Sequence, residues 1–322
     1  QTGNSTTGSI TITDGANGNI AITPNGSGAV QLDGLSWPTA DGSANQVLKT
    51  DGSGALSWST PSSGVSSVND LSDALLETNS IWIGNDPSSS TNAADYNVAL
   101  GTTALDAVTT GDNLTAIGYG ALTNNTTGSE NIAIGFGALR DNVSDVGNVA
   151  IGYQSMLDAN GAEYNTAVGN NALRGTDNTN ITGDENVAVG AGSLKFNIAG
   201  AQNTAVGRVS LYTNTSGSNN TALGYGSLLS NTTARYNTAI GAEALYDAAR
   251  TSDTDGYNTA LGYNAGNTGT NDITTGNKNT LLGASTAASA AAGTNQTVIG
   301  YGASGKGDNT VTIGNGDITL WS

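Results

Sequence analysis

The chain has no cysteine and no histidine among its 322 residues. Without Cys there are no disulfides and no thiolate metal sites, and the redox compartment stays open. Without His the commonest general base and metal ligand are missing. Charge is scarce as well. Asp, Glu, Lys and Arg make up 11% of the residues, and nine Lys and Arg stand against 26 Asp and Glu, a net charge of −17. So few cations do not assemble a basic groove, so no nucleic acid and no anionic membrane is expected as a partner. The acidity keeps a long molecule soluble and discourages end-to-end stacking; steering toward cationic targets is the functional alternative. No apolar run approaches the ~18 residues that span a bilayer, and no membrane insertion is expected. What remains is rich in Gly, at 46 residues, and in Asn, Thr, Ser and Ala. That is the composition of a fibre or a β-solenoid rather than of an ordinary enzyme core, and no cofactor is expected.

Against this plain background stands a repeat. Fourteen times an Ile, Val or Thr, one further residue and an Ile, Val or Leu run into a glycine, at Gly84, Gly101, Gly118, Gly135, Gly152, Gly169, Gly190, Gly207, Gly224, Gly241, Gly262, Gly283, Gly300 and Gly314. Nine of the first twelve intervals are 17 residues and three are 21, so the long ones read as four-residue insertions in a surface loop of a fixed coil; the last interval is 14. Such strict periodicity argues against disorder.

The residues one and three before each glycine share one face of a strand. They are Ile, Val or Leu at the first position, from Ile83 and Leu100 to Ile313, and Ile, Val or Thr at the second. On the opposite face lie Ala99, Ala116, Ala133, Ala150, Ala167, Ala188, Ala205, Ala222, Ala239 and Ala260, preceded by Asn such as Asn97, Asn131, Asn148 and Asn165. The usual size rule puts the large aliphatics inside the coil and leaves the Ala face for a closely approaching neighbour, a subunit interface. A second anchor follows about four residues after the glycine, at Leu105, Leu122, Leu139, Met156, Leu173, Leu194, Leu211, Leu228 and Leu245. Two short strands per coil are therefore expected around a thin core. Stacked at about 4.8 Å per coil, they predict a rod about 65 to 70 Å long. Asn amides would bond up and down its axis, and Gly101, Gly118, Gly135, Gly152 and Gly169 would turn the coil corners with positive φ.

The first 64 residues follow a shorter rule. Gly8, Gly18 and Gly28 lead ten-residue units in which Ile10 and Ile12, Ile20 and Ile22, then Val30 and Leu32 alternate with polar residues. Two glycine turns feed the aromatic strands that end at Trp37 and Trp58, where packing at a strand or subunit junction is expected. The predicted layout is an N-terminal β-rich attachment segment over residues 1–64, a linker or short neck over 65–79, and the solenoid over 80–322. Val68 to Glu77 holds the only helical spacing, with Leu71, Leu75 and Leu76 on one side.

The units Asn131-Ile132-Ala133-Ile134-Gly135 and Asn165-Thr166-Ala167-Val168-Gly169 resemble the head repeats of trimeric autotransporter adhesins. That resemblance covers about residues 80 to 322 and implies a left-handed parallel β-roll in a tight homotrimer. Longer phrases, Thr115-Ala116-Ile117-Gly118-Tyr119-Gly120-Ala121-Leu122 and Ser43-Ala44-Asn45-Gln46-Val47-Leu48-Lys49-Thr50-Asp51-Gly52, are more similar to bacteriophage tail fibres, particularly marine ones. The final stretch from Asn309 to Ser322 resembles the segment that precedes a self-cleaving endosialidase-type chaperone in phage fibres and spikes. A chain ending at Ser322 fits a matured product or an unrelated boundary. The adhesin family also needs a membrane anchor and a long stalk, which the resemblance does not supply, and no signal peptide stands at Gln1.

Chemistry is sparse along the repeats. Asp141 with Asp145, and Asp253 with Asp255, are the acid pairs that a glycan hydrolase would need at about 5 to 9.5 Å. No Arg, Lys or Tyr cluster marks either pair as a sugar-cleaving site, and solvated turn carboxylates are the expected role. The Asp253-Thr254-Asp255-Gly256 run lacks the bidentate Glu of a calcium loop, so no metal is expected. Tyr119, Phe136, Tyr153, Tyr225, Tyr263 and Tyr301 follow repeat glycines, and Tyr96, Tyr164, Tyr236 and Tyr257 precede repeat Asn residues. Exposed rings of this kind stack on sugars; packed rings cover coil corners. A Thr column, Thr204, Thr221, Thr238, Thr259, Thr280 and Thr297, would suit an ice-binding face, but the size rule puts it on the core side. Together these features predict a non-enzymatic homotrimeric fibre of a virion that meets other virion proteins and a host-surface glycan or protein. A bacterial cell-surface adhesin head and a capsid-decorating trimer are the alternatives.

Overall fold

The structure is a computed structural model that describes residues 9–12, 20–23, 27, 31–32, 34–61, 74–77, 79–84, 94–176, 179–248 and 256–318. Gly8, Gly18, Gly28, Val30, Asp253 and Asp255 lie outside them. The chain forms two compact units, Gln1–Asp70 and Leu71–Ser322. All regular elements among the described residues are β-strands.

In the first unit three short hairpins follow one another, each antiparallel. They are β1 (Ser9–Ile12) with β2 (Ile20–Thr23), β3 (Gln31–Leu32) with β4 (Leu35–Ser36), and β5 (Val47–Thr50) with β6 (Leu56–Ser59). Asp51 closes the last turn, its Oδ1 accepting from the Ser53 N–H at 2.8 Å and the Ala55 N–H at 3.0 Å. These backbone donors hold its carboxyl below the usual carboxylate range. Trp58 is anchored through its indole N–H to the Ala40 carbonyl at 2.9 Å. Its ring lies so close over Gly42 that a Cβ there would sit 2.6 Å from it.

The second unit is the predicted β-solenoid. β8 (Ser80–Ile83) is followed by thirteen strands of three residues each, from β9 (Val98–Leu100) and β10 (Thr115–Ile117) to β20 (Thr297–Ile299) and β21 (Val311–Ile313). Each pairs in parallel with the next, so that Ala99, Ala116 and Ala133 stand side by side in one rank. The 21-residue intervals do not shift this register, since Thr166 pairs Val187 and Thr238 pairs Thr259. The 14-residue interval also holds it, with Thr297 against Val311.

Helical spacing over Val68 to Glu77 does not give a helix in its described part. Ala74–Glu77 is strand β7, antiparallel to β8, so the sheet begins before residue 80. Asn79, at φ 62°, turns the chain back, and pairing with the open edge of the sheet overrides the local pattern.

Each coil has one strand, not two. The second anchor sits in a turn, with Leu105, Leu122, Leu139 and Met156 at φ between 49° and 54°. A left-handed backbone costs such a residue about 1 to 2 kcal/mol, whereas burying its whole side chain contributes about 1.5 to 3 kcal/mol. All four are fully buried, so burial outweighs the strain.

The Asn column forms the expected ladder. Asn203 Nδ2 donates to the Gly217 carbonyl at 2.8 Å and to Asn186 Oδ1 at 3.1 Å, while its Oδ1 accepts the Asn220 backbone N–H at 3.0 Å. A second Asn ladder, which the sequence reading did not foresee, runs through Asn197, Asn214 and Asn231 with amide steps of 2.7 and 2.8 Å. Asn203→Ala leaves the buried Asn220 backbone N–H without its acceptor, while the Gly217 carbonyl keeps the Asn214 amide and Asn186 Oδ1 keeps the Asn203 backbone N–H, and is expected to cost about 1 to 3 kcal/mol. Thermal denaturation together with faster hydrogen exchange at the Asn220 amide would report it.

Candidate functional site

The solenoid turns its strands the other way round from the size rule. Ala99, Ala116, Ala133, Ala150, Ala167, Ala188, Ala205, Ala222, Ala239 and Ala260 are buried inside a single chain, and no neighbouring subunit can reach them. Their assignment to a trimer interface is therefore corrected. The interior is thin, and the anchor leucines reach across it from the opposite wall. From Ala99 to Ala260 only methyl-sized side chains stand beneath the strand, beside the buried Asn ladder, while Trp82, Leu281 and Val298 fill the same position toward the ends.

The outward face consequently carries the aliphatics. Every one of the fourteen residues before a repeat glycine is Ile, Val or Leu. Leu100 is 46% exposed, Ile151 36% and Leu223 46%, and the column continues to Ile313. Beside it the Thr column from Thr204 to Thr297 also lies outward, partly or fully exposed, which corrects its placement on the core side. The result is a ladder of aliphatic and Thr ranks on the open face of a parallel sheet.

A different surface carries rings. Tyr119, Phe136, Tyr153, Tyr225, Tyr263 and Tyr301 are all exposed. Tyr119 stacks on Phe136 with centroids 5.3 Å apart, and Phe136 on Tyr153 at 5.4 Å, so one coil step matches one ring step. The three rings make a continuous apolar strip. Ala242 and Ala284 interrupt the same column between Tyr225, Tyr263 and Tyr301. Tyr96, Tyr164, Tyr236 and Tyr257 hold positive φ one residue before the Asn ladder, and Tyr236 stacks on Tyr257 at 5.0 Å.

Of the acid pairs, the described one is tied into the coil. Asp141 takes the Arg140 guanidinium at 2.6 and 2.8 Å and the Asn124 amide at 3.0 Å. Asp145 is buried and accepts the Gly161 and Ala162 N–H groups at 2.7 and 3.1 Å. Both carboxylates thus staple one coil to the next. Partial burial, and secondarily the Asp272 carboxylate, raise the carboxyl of Asp247. Among the described residues no group of three or more Cys, His, Asp or Glu is arranged to hold a metal ion, and no helix is long and apolar enough to cross a membrane.

Comparison with protein-family models, curated proteins and solved structures finds no match. The class defined by the fold is therefore that of a parallel β-solenoid repeat protein, and its function has to be argued from its surfaces.

Proposed function

We propose that this chain forms the shaft of a homotrimeric virion fibre that projects from the particle and attaches to a host surface. One observation carries the reading: the unbroken outward column of fourteen aliphatic residues on a parallel sheet. Parallel sheets are covered on both faces in folded proteins, and a contiguous apolar patch of such length marks an interaction surface. Three copies closing around an axis would cover it with identical ranks from each chain, leaving the ring-bearing surfaces free.

Three equivalent aromatic strips then face outward on one rigid body. Weak contacts of Tyr119, Phe136 and Tyr153 with sugar rings add through effective concentration. The phrases similar to tail fibres favour a virion over a bacterial surface. Other virion proteins would hold one end and a host glycan or protein would be met along the shaft, with no catalysis required. A bacterial adhesin head or a capsid-decorating trimer would use the same assembly in another place.

Light scattering on the purified chain is the test. The expected native mass is three times the 31.9 kDa chain mass. A single-chain mass would overturn the fibre and leave the Thr and aliphatic ranks open to solvent. In that case the regular outward face from Thr204 to Thr297 would favour ice binding, read by freezing hysteresis.

A further inference from the structure

We infer that a shallow cavity on the coils of Gly169, Gly190 and Gly207 is a subsite for an acidic sugar, a glycan unit carrying a carboxylate or sulfate. The inference rests on the attachment reading and names the ligand class for one place on that surface. The cavity measures about 190 Å³ and is separate from the strip formed by Tyr119, Phe136 and Tyr153. It exists because the ring column fails locally. On three successive coils Asn170, Ala191 and Arg208 stand where the flanking coils have Tyr153 and Tyr225, and Gly192 follows Ala191.

Two of the nine cations of this acidic chain, Lys195 and Arg208, line that gap. Neither forms an ion pair among the described residues, and no carboxylate lines the cavity. They are held by rings instead. Lys195 Nζ lies 4.9 Å from the Phe196 centroid and 5.6 Å from that of Tyr212, and the Arg208 guanidinium lies 5.8 Å from the Tyr225 centroid. Ring contacts of this kind position a cation without neutralising it. The positive charge therefore remains available to an anion, and a charge-assisted hydrogen bond is stronger than a neutral one.

The remaining lining fits a sugar. Tyr212 is fixed edge-on against Phe196, with centroids 4.9 Å apart, and its ring packs where a Cβ on Gly192 would lie 3.3 Å away. It supplies an apolar wall that does not have to be ordered on binding. Asn171 Nδ2 donates a hydrogen bond to Asn170 Oδ1, which leaves the Asn170 N–H₂ group and the Asn171 side-chain carbonyl for hydroxyls. Pockets for larger ligands occupy about 300 to 1,000 Å³, so this one suits a single ring. Two cations are also too few for a polyanion held by its backbone charge alone.

The test is calorimetric titration of the full chain with oligogalacturonate, a sulfated galacto-oligosaccharide and a neutral galacto-oligosaccharide. At least one acidic probe is expected to bind more tightly than the neutral one, and the stronger arm identifies carboxylate or sulfate as the anion. Lys195→Gln with Arg208→Gln should weaken that binding at least tenfold. Lys278→Gln with Lys306→Gln removes the same charge elsewhere and should change it less than twofold; melting curves check that both variants fold. Equal loss in both double variants, equal affinity for the neutral probe, or no binding of either acidic probe overturns the subsite. The attachment reading is separated by the neutral probe. If it binds and Tyr119→Ala with Tyr153→Ala abolishes that binding, attachment survives without this subsite. If no probe binds at all, both fall.

Discussion

Gly207→Ala is expected to cost about 2 to 6 kcal/mol and to melt the middle of the solenoid. Two separate physical effects add. Gly207 sits at φ 135°, a region that L side chains rarely adopt, and strain there costs about 1 to 3 kcal/mol. In addition, a Cβ at this position would lie 2.4 Å from the Gly224 carbonyl oxygen and 2.6 Å from its carbon. Those atoms are backbone, held by the ladder in which the Gly224 N–H donates to the Val206 carbonyl at 2.8 Å, so they cannot rotate away. Overpacking of this kind costs about a further 1 to 3 kcal/mol. Because each coil contacts only its neighbours, the damage should spread outward from the substituted coil rather than unfold the chain at once. Hydrogen exchange should accelerate first at Val206 to Tyr225 and least near Gly300. Gly302→Ala is the control. Its φ is 61° and the nearest atom to a Cβ is 3.9 Å away, so only the left-handed backbone counts and a loss of about 1 to 2 kcal/mol is expected. Equal stability of both variants would mean that the glycine column does not set the coil spacing.

Why the sequence revealed the coil but reversed its faces follows from the same tight geometry. Period is legible because a residue shift of one would bring a side chain into the glycine stack, so Gly152, Gly169 and Gly190 recur without substitution. The Asn ladder is legible for a related reason: Asn131 Oδ1 accepts the backbone N–H of Asn148 one coil on, and Asn148 Oδ1 that of Asn165, so each coil needs the amide at the same place. Burial runs against side-chain size here, the smaller residue of each strand being the inner one. In this thin coil the inner wall is held to Ala from Ala99 to Ala260, and the informative signal is restriction rather than bulk. The Ala position admits Trp82 at the first coil, and Leu281, Val298 and Thr312 only toward the other end, whereas Thr, Val and Ile interchange freely at Thr166, Val187 and Ile132. The positive φ of Leu139 and Leu211 had no such signal, since leucine is not a residue that advertises a left-handed turn. As for the cavity at Lys195 and Arg208, its parts lie 13 residues apart and outside the repeat consensus. They become neighbours only once coils stack.

The orientation of the strand is testable by placing one carboxylate on each face of the same strand. Ala150→Asp puts a charge where the side chain is wholly buried among Ala, Leu and Asn. An unpaired buried carboxylate costs several kcal/mol even after relaxation, so the variant is expected to lose its cooperative melt or to fold only when protonated. Ile151 is the next residue and points outward, 36% exposed. Ile151→Asp combined with Ile117→Asp should leave the β-strand circular dichroism of the chain in place. What these outward charges should destroy is assembly. Within a closed trimer they would bring like charges from three chains onto one apolar face, which is costly without a counterion. The native mass is therefore expected to fall from three chains to one while the fold persists. If mass and melting are both unchanged, the aliphatic column is not where copies of the chain meet. If the outward pair melts the coil and Ala150→Asp does not, the interior lies on the other side of the strand. The two variants thus separate what builds the coil from what joins the coils of different chains, because Ala150 and Ile151 share one strand and differ only in the direction of a side chain.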